Sequence, residues 1–144
     1  MSNPAKLTAE DRLDILELYA RHARAEEAGD LVRVLETFTE DGALESLRGV
    51  FRGRAQLRVL LTGVLELIRG KRHVTFHHVM VAVTEGVRVD ADFVLIDPHT
   101  TPGVVAVGSY TDLVRREDGA WRFAHRRVTL AARGEVPIRD SEAP

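Results

Sequence analysis

Residues 73–96, HVTFHHVMVAVTEGVRVDADFVLI, decide the fold class of this chain. The stretch holds two β-rich runs, separated at Glu85 and Gly86 by a tight-turn signal. The second run alternates between apolar residues at the odd positions and mostly charged residues between them, which is typical of a half-buried strand. Residues 104–116 and 121–130 continue in β-rich runs, and a hairpin signal, Asp-Gly, lies between them. The second half therefore predicts four sequential antiparallel strands.

The first half has helical spacing instead. Thr8 and Asp11 form a capping-box-like start for a helix over residues 8–28, and Gly29 is the usual left-handed stop. Asp30 then caps a short second helix. A turn, a short strand and a third helix are predicted over residues 39–42, 43–51 and 54–68. Because the helices come first and the strands follow as a meander, the sequence predicts an α+β fold, a curved mixed or antiparallel sheet wrapped around three N-terminal helices. Such a cone has an internal pocket.

The composition predicts one soluble domain. The chain has 144 residues, a formal net charge of −2 and no cysteine, so disulfides and thiolate metal sites are excluded. We expect a domain over residues 8–132, a loose arm over residues 1–7 and a polar tail over residues 133–144. The N-terminus lacks a signal-peptide core and no run is long enough to span a membrane, so the cytoplasm is the expected compartment.

Glu27 is the first candidate for a functional residue. At about 100° per residue, Glu27 falls on one helical stripe with Leu16, Tyr19, Ala20 and Ala23. A carboxylate on a buried face needs a partner or a purpose. The alternative is that the helix has frayed near its end and that Glu27 lies in water.

His78 is the second candidate. In a regular strand it shares a face with Phe76, Met80 and Ala82, so an imidazole would sit among apolar groups. The alternative is a core histidine bonded to a backbone carbonyl. His77 points to the other face and is read as structural or interfacial, so the His-His pair does not predict a metal site, and no metal is expected.

Several short sequence motifs occur along this order of helices and strands. They are LYAR (18–21), EAGD (27–30), FTEDGA (38–43), FRGR (51–54), HHV (77–79) and DGAWRF (118–123). In their order and spacing they resemble the SnoaL-like branch of the NTF2-like superfamily, over nearly the whole chain. The resemblance implies the same cone fold.

The resemblance also implies a class of chemistry. Family members include polyketide cyclases, ketosteroid isomerases, epoxide hydrolases, scytalone-type dehydratases and non-catalytic proteins. In the dehydratase-like members a carboxylate before the helix stop faces a histidine on the first meander strand, and Glu27 and His78 match these positions. A second family histidine has no match, since Leu95 and Asp97 stand nearest. A carboxylate–imidazole pair can move a proton between substrate atoms without any cofactor.

The predicted pocket wall is mainly apolar. Tyr110 could polarise a carbonyl or orient a hydroxyl, or be an aromatic packed in the sheet. The other expected substrate-binding residues are Tyr19, Phe76, Met80 and Phe93.

Charged residues complete the predictions. Asp92 and Asp112 are possible further acids, with Asp92 expected outside the pocket and paired with Arg88 or an arginine of a neighbouring strand. The arginine pairs at 115–116 and 126–127 predict a solvated, salt-bridged surface rather than a nucleic-acid site, because no interleaved aromatic platform accompanies them.

Two functions compete at this point. The first is a cofactor-independent acid–base enzyme, a dehydratase, isomerase or cyclase acting on a small hydrophobic cyclic or polyketide-like molecule. The second is a non-catalytic ligand-binding or assembly module of the same fold. Either one is expected to form a homodimer through the outer face of the sheet, with no nucleic acid and no membrane as partner.

Overall fold

The computed structural model describes residues 6–99 and 103–133. They form three helices followed and interrupted by six strands. The elements are α1 (Ala9–Ala28), α2 (Leu31–Glu36), β1 (Phe38–Ser46), β2 (Gly49–Arg52), α3 (Gly53–Ile68), β3 (Arg72–Val83), β4 (Gly86–Asp97), β5 (Gly103–Glu117) and β6 (Ala120–Arg133). The α+β prediction is confirmed. The predicted arm and tail fall mostly outside the described residues and stay predictions.

The ends of α1 follow the local sequence signals. The Thr8 side chain accepts the backbone N–H of Asp11, and the Asp11 side chain accepts that of Thr8. Gly29 ends the helix in the left-handed conformation, with φ 68°, and Asp30 caps α2 through the backbone N–H of Arg33. These caps fix the turn between the two helices, and they were readable from the sequence.

The sheet has the strand order β2-β1-β6-β5-β4-β3. The strands β3 to β6 form the predicted antiparallel meander, and β1 joins its far edge by pairing parallel with β6. The turn between β5 and β6 has positive φ at both Asp118 and Gly119, as a tight two-residue hairpin requires. The predicted mixed sheet is therefore confirmed.

The predicted turn over residues 39–42 is wrong. These residues belong to β1, although the pairing with β6 shifts register between Phe38 and Ala43. Gly42 marks the irregularity, because a Cβ there would lie 3.0 Å from the backbone oxygen of Thr39 and 3.1 Å from that of Phe123. The turn-like composition of residues 39–42 therefore belongs to a bent strand that is in close contact with β6.

A bulge in β3 changes which residues face the helices. Phe76 pairs with Asp92 and Val79 with Asp90, so His77 and His78 together occupy one step of the ladder. His77 takes a positive φ of 56° to do so. Regular alternation fails across such an extra residue. Phe76 therefore lies on the outer face, and the prediction that it shares the face of His78 is wrong.

The core lies between the helices and the concave face of the sheet. It is built from α1, α2 and α3 on one side and from β1 and β3 to β6 on the other. Its fully buried large side chains include Ile15, Leu18, Leu35, Phe38, Leu57 and Phe123. Among the described residues, no helix has both the length and the apolar character needed to cross a bilayer.

Candidate functional site

A cavity of about 700 Å³ opens between α1, α3 and the concave face of the sheet. Most of its wall is apolar, from Phe38, Leu44, Leu61, Val64, Leu67, Ile68, Phe93, Leu95, Val105, Ala106, Val128 and Leu130. Six polar side chains interrupt this wall: His22, Glu26, Lys71, His73, Tyr110 and Arg126. An apolar cavity of this size with a few polar groups is the usual form of a small-molecule site.

Glu26 is the carboxylate that α1 turns inward. The buried face of the helix runs through Ile15, Leu18, Tyr19, His22, Ala25 and Glu26. The predicted stripe was one position off: it contained Leu16, which is 40% exposed, and it ended at Glu27. Both stripes have helical spacing, and the core takes the one that begins with Ile15 and Leu18.

Glu27 has a different role in the described structure. Its Oε2 accepts a hydrogen bond from Arg72 Nη1 at 3.0 Å, and its Oε1 accepts one from the backbone N–H of His73 at 3.2 Å. The carboxylate thus ties the end of α1 to the start of β3. Of the described residues, those that line the cavity include neither Glu27 nor His78.

Counting hydrogen-bond donors shows that Glu26 and His22 share one proton. Thr37 donates its only hydroxyl proton to the Val34 carbonyl at 2.6 Å, so it must accept from His22 Nδ1, which lies 2.8 Å away. The other nitrogen of His22, Nε2, contacts Glu26 Oε1. With a proton on Nδ1, one further proton must lie between Nε2 and the carboxylate. The pair is therefore an imidazolium–carboxylate or its neutral tautomer.

His73 faces the second oxygen of the same carboxylate. Its Nε2 lies 3.7 Å from Glu26 Oε2, and its side chain is 7% exposed. Burial is the main cause that lowers the pKa of His73, against the opposing attraction of Glu26. The imidazole is therefore neutral near pH 7. Its Nδ1 is buried without a hydrogen-bond partner in the described part of the chain.

Glu26 is held in the charged form. Burial by itself raises the pKa of the carboxyl, but the two histidines beside it, His22 and His73, outweigh burial and bring the pKa well below its ordinary value. A carboxylate at the edge of an apolar cavity, with one oxygen on His22 and the other near His73, is an arrangement suited to proton transfer.

A second polar cluster supports the far wall of the cavity. Asp112 accepts two hydrogen bonds from Arg126, from Nε at 2.9 Å and from Nη2 at 2.8 Å, and a third from the hydroxyl of Tyr19. The Arg126 guanidinium lies 3.8 Å from the ring centroid of Tyr110 and 4.1 Å from that of Phe123. Burial lowers the pKa of Arg126, but Asp112 outweighs it, so the guanidinium stays charged. The prediction that Arg126 belongs to a solvated surface is wrong.

The predicted wall residues divide between the cavity and its surroundings. Phe93 and Tyr110 line the cavity, stacked with their ring centroids 4.6 Å apart. Tyr19 and Met80 are buried in the core beside it, and Phe76 is on the outer face, in contact with His77. Burial raises the pKa of Tyr110, so its phenol keeps its proton.

His78 is half-buried and packs next to the polar cluster. Its ring meets Tyr19 edge-on with centroids 4.8 Å apart, and its Nε2 is buried without a partner among the described residues. Burial is the main cause that lowers its pKa. Glu27 binds the backbone at His73, five residues before His78 on β3, and at 3.3 Å per residue these two positions lie about 16 Å apart along the strand. The structure does not bring the two predicted partners together.

The remaining predictions for charged residues concern the protein surface. Asp92 lies outside the cavity as predicted, but its partners are His77 at 3.0 Å and Ser109 at 2.8 Å, while Arg88 binds Asp90. His77 is exposed, in agreement with its outward prediction. The salt-bridged surface is confirmed for Arg115, Arg116 and Arg127. Within residues 6–99 and 103–133, no three His, Asp or Glu side chains are grouped to hold a metal ion.

Sequence reasoning missed His22, Glu26 and His73. A signal for the first two was present: His22 and Glu26 are four residues apart on the stripe that begins with Ile15 and Leu18, so they share a helix face. No sequence signal pointed to His73, because its inward orientation depends on how β3 pairs with β4.

Residues 7–127 match the sequence profile of the SnoaL-like domain. A search of curated protein sequences found none that matches the chain. Among solved structures, a protein of unknown function with a cystatin-like fold from Nostoc punctiforme is 26% identical with a TM-score of 0.82, covering 93% of this chain and 99% of that one.

Two further structures share the fold. A protein from Novosphingobium aromaticivorans, for which scytalone dehydratase activity is proposed, is 19% identical with a TM-score of 0.76, covering 94% of this chain and 96% of its own. ActVI-ORFA from Streptomyces coelicolor is 20% identical with a TM-score of 0.74, covering 83% and 97%.

Proposed function

Since the chain belongs to the SnoaL-like domain family, we propose that it is a cofactor-independent acid–base enzyme for a small hydrophobic molecule, with Glu26 as its base. The observation that carries the proposal is the buried Glu26 carboxylate between His22 and His73 at the wall of an apolar cavity. A buried charge is costly, and here it is kept ionised by two imidazoles that can themselves carry protons.

The proposed first step is proton abstraction from a carbon next to a carbonyl. The C–H bond breaks, the proton passes to the Oε2 of Glu26, and the electron pair becomes an enolate. His22 stays on Oε1 and holds the carboxylate in place, because Thr37 fixes its other nitrogen. The proton then returns to another carbon, which moves the double bond, or to a leaving hydroxyl, which completes a dehydration. Atoms and electrons balance without an oxidant or reductant.

In the proposed reaction, Tyr110 and Arg126 stabilise the enolate oxygen, since both line the cavity. Tyr110 keeps its proton and can donate it in a hydrogen bond, and Arg126 carries a fixed positive charge. In the described part of the chain, Asp112 occupies Nε and Nη2 of Arg126, which leaves Nη1 for a ligand. Donors fixed in advance at the point where negative charge develops supply a large share of catalysis in such sites.

The cavity wall indicates the class of substrate. A volume of about 700 Å³ with mostly apolar side chains suits a cyclic or polyketide-like molecule of moderate size. The neighbouring structures from Novosphingobium aromaticivorans and Streptomyces coelicolor support this choice only through the shared fold.

A competing assignment makes Glu27 and His78 the acid–base pair, as the sequence resemblance implies. A single experiment separates the two. Wild-type protein and the variants Glu26→Gln, Glu27→Gln and His78→Ala are incubated in D₂O with cyclic ketones such as 2-tetralone, and loss of the α-proton NMR signals is followed. We expect Glu26→Gln to slow exchange at least about a hundredfold, the typical contribution of a general base. Glu27→Gln, its matched neighbour, should exchange within about a factor of three of wild type.

The outcomes decide between three assignments. Full activity in Glu26→Gln with loss in Glu27→Gln or His78→Ala would refute Glu26 and favour the competing pair. If wild type binds the ketones with no exchange, the chain is a ligand-binding module and the catalytic proposal fails. Circular dichroism of each variant checks that the fold survives.

The outer face of the sheet supports a homodimer. Val74, Val79, Val81 and Val104 are each more than 40% exposed on β3 and β5. A row of exposed valines on one side of a sheet favours pairing with a second copy. Sedimentation should give twice the chain mass for wild type, and Val79→Lys with Val81→Lys should reduce it to one. The cytoplasm remains the predicted compartment.

A further inference from the structure

A second concavity, of about 540 Å³, lies between α1, α2 and the start of β6. It is separate from the catalytic cavity: α1 contributes Leu18, Arg21 and Arg24 to this groove, and His22 and Glu26 to the cavity. We propose that this arginine groove binds a small organic anion, with a carboxylate or phosphate held by the arginines and an apolar part lying against Trp121.

The charges lining the groove favour an anion. Four arginines reach it from three different elements, Arg21 and Arg24 from α1, Arg33 from α2 and Arg122 from β6, against two acidic residues. One of these, Asp30, is already engaged by Arg33, whose Nε lies 3.4 Å from its Oδ2 and whose backbone N–H binds its Oδ1. The groove therefore keeps a net positive charge.

Arg21 and Arg24 give the strongest part of the argument. They are three residues apart, so they lie next to each other on α1, where like charges destabilise a helix. In residues 6–99 and 103–133, neither has a carboxylate within 4.0 Å, whereas eight other arginines there are paired with one. An anion between the two guanidinium groups offsets the repulsion and satisfies their planar donor forks.

The floor of the groove is short of hydrogen-bond acceptors. Arg122 is anchored through Nη1, which donates to the backbone oxygen of Glu36 at 2.6 Å. Its Nε and the indole N–H of Trp121 are buried without an acceptor in the described part of the chain. The two side chains that form this floor are hydrogen-bond donors and carry no negative charge that would oppose an anion.

The shape points to a small molecule rather than a macromolecule. The volume lies within the range of ligand pockets, and the arginines surround a concavity rather than cover a flat face. Trp121 gives it an aromatic wall, and Arg116 holds the ring by lying 4.8 Å from its centroid. A ligand with both an acidic group and a compact apolar part fits these two features together.

Trp121 is the only tryptophan in the chain, so its fluorescence reports on this groove. The full chain is titrated with cyclohexanecarboxylate and cyclohexyl phosphate, which do not absorb at the excitation wavelength, and with neutral cyclohexylmethanol. We expect a saturable change in fluorescence with both anions and none with the alcohol. The double variant Arg21→Gln/Arg24→Gln should raise the Kd at least tenfold. The matched control, Arg48→Gln/Arg58→Gln, loses the same charge from exposed positions elsewhere and should leave the Kd unchanged.

Several results would overturn the proposal. Absence of saturation by either anion up to about 10 mM, a range that covers weak small-molecule binding, would show that no such site exists. If the control variant raises the Kd of the anions as much as Arg21→Gln/Arg24→Gln does, the net charge of the protein alone explains the binding. Binding of the alcohol as tightly as the anions would show that the groove selects apolar molecules and not anions.

Discussion

Removing the charge of Asp112 should destabilise the protein by about 3–5 kcal/mol, the usual cost of leaving one partner of a buried ion pair uncompensated. The Asp112 side chain is fully buried and that of Arg126 is 3% exposed, and two hydrogen bonds of 2.8 and 2.9 Å join them. In Asp112→Asn the Arg126 guanidinium stays buried without a counter-charge. For a domain of this size the loss corresponds to a fall in Tm of about 10–20 °C.

The assay is urea unfolding followed by circular dichroism, on a double-mutant cycle with Arg126→Gln. We expect the double variant to be more stable than the sum of the single losses predicts, by at least about 2 kcal/mol, because both charges are then gone. Glu45→Gln, which breaks the exposed pair with Arg127, is the control and should cost less than about 1 kcal/mol. Additive single losses, or a cost for Asp112→Asn as small as that of the control, would refute the reasoning.

Three further predictions follow from the site and its walls. Folding lowers the pKa of Glu26, so its contribution to stability is present above the ordinary glutamate pKa and is lost as the pH falls from there through the folded-state pKa. The free energy of unfolding of Glu26→Gln, measured in urea, should therefore change less between pH 5 and pH 3 than that of wild type. Thr37→Val removes the acceptor of His22 Nδ1 and should cost about 1–3 kcal/mol, whereas Thr37→Ser keeps the hydroxyl and should cost less. In Gly108→Ala the new Cβ would lie 2.4 Å from a backbone oxygen of β6, so the free energy of unfolding should fall by about 1–3 kcal/mol. In the control Gly63→Ala, the nearest atom to the new Cβ is 3.9 Å away, and no destabilisation is expected. Thermal unfolding compares the two variants.

The outline of the fold was readable from the sequence because it depends on local signals. The capping box at Thr8, the stop at Gly29 and the Asp118-Gly119 hairpin act within a few residues. The alternation of apolar and polar residues in β4 likewise indicates which face of the strand is buried. Where one neighbouring segment was enough to fix the conformation, the predicted boundaries agree with the structure to within a few residues.

The site depends on choices that a single segment does not decide. α1 has two stripes of helical spacing, and only packing against the sheet selects the one with Glu26 over the one with Glu27. The bulge at His77 and His78 reverses the alternation of β3, and it is visible only in the pairing of β3 with β4. Arg126 looked solvated because its partner Asp112 lies on another strand, fourteen residues earlier. These three errors concern contacts between elements, not the elements themselves.

The ionisation of Glu26 is the claim on which the proposed chemistry rests, and it can be measured directly. Glutamate labelled with ¹³C at the carboxyl carbon gives one NMR signal per residue, and the Glu26→Gln variant identifies the one of interest. We predict that this signal keeps the chemical shift of a carboxylate as the pH is lowered through the range, near pH 4.3, where ordinary glutamates take up a proton. A Glu26 signal that titrates at or above that range would contradict the account.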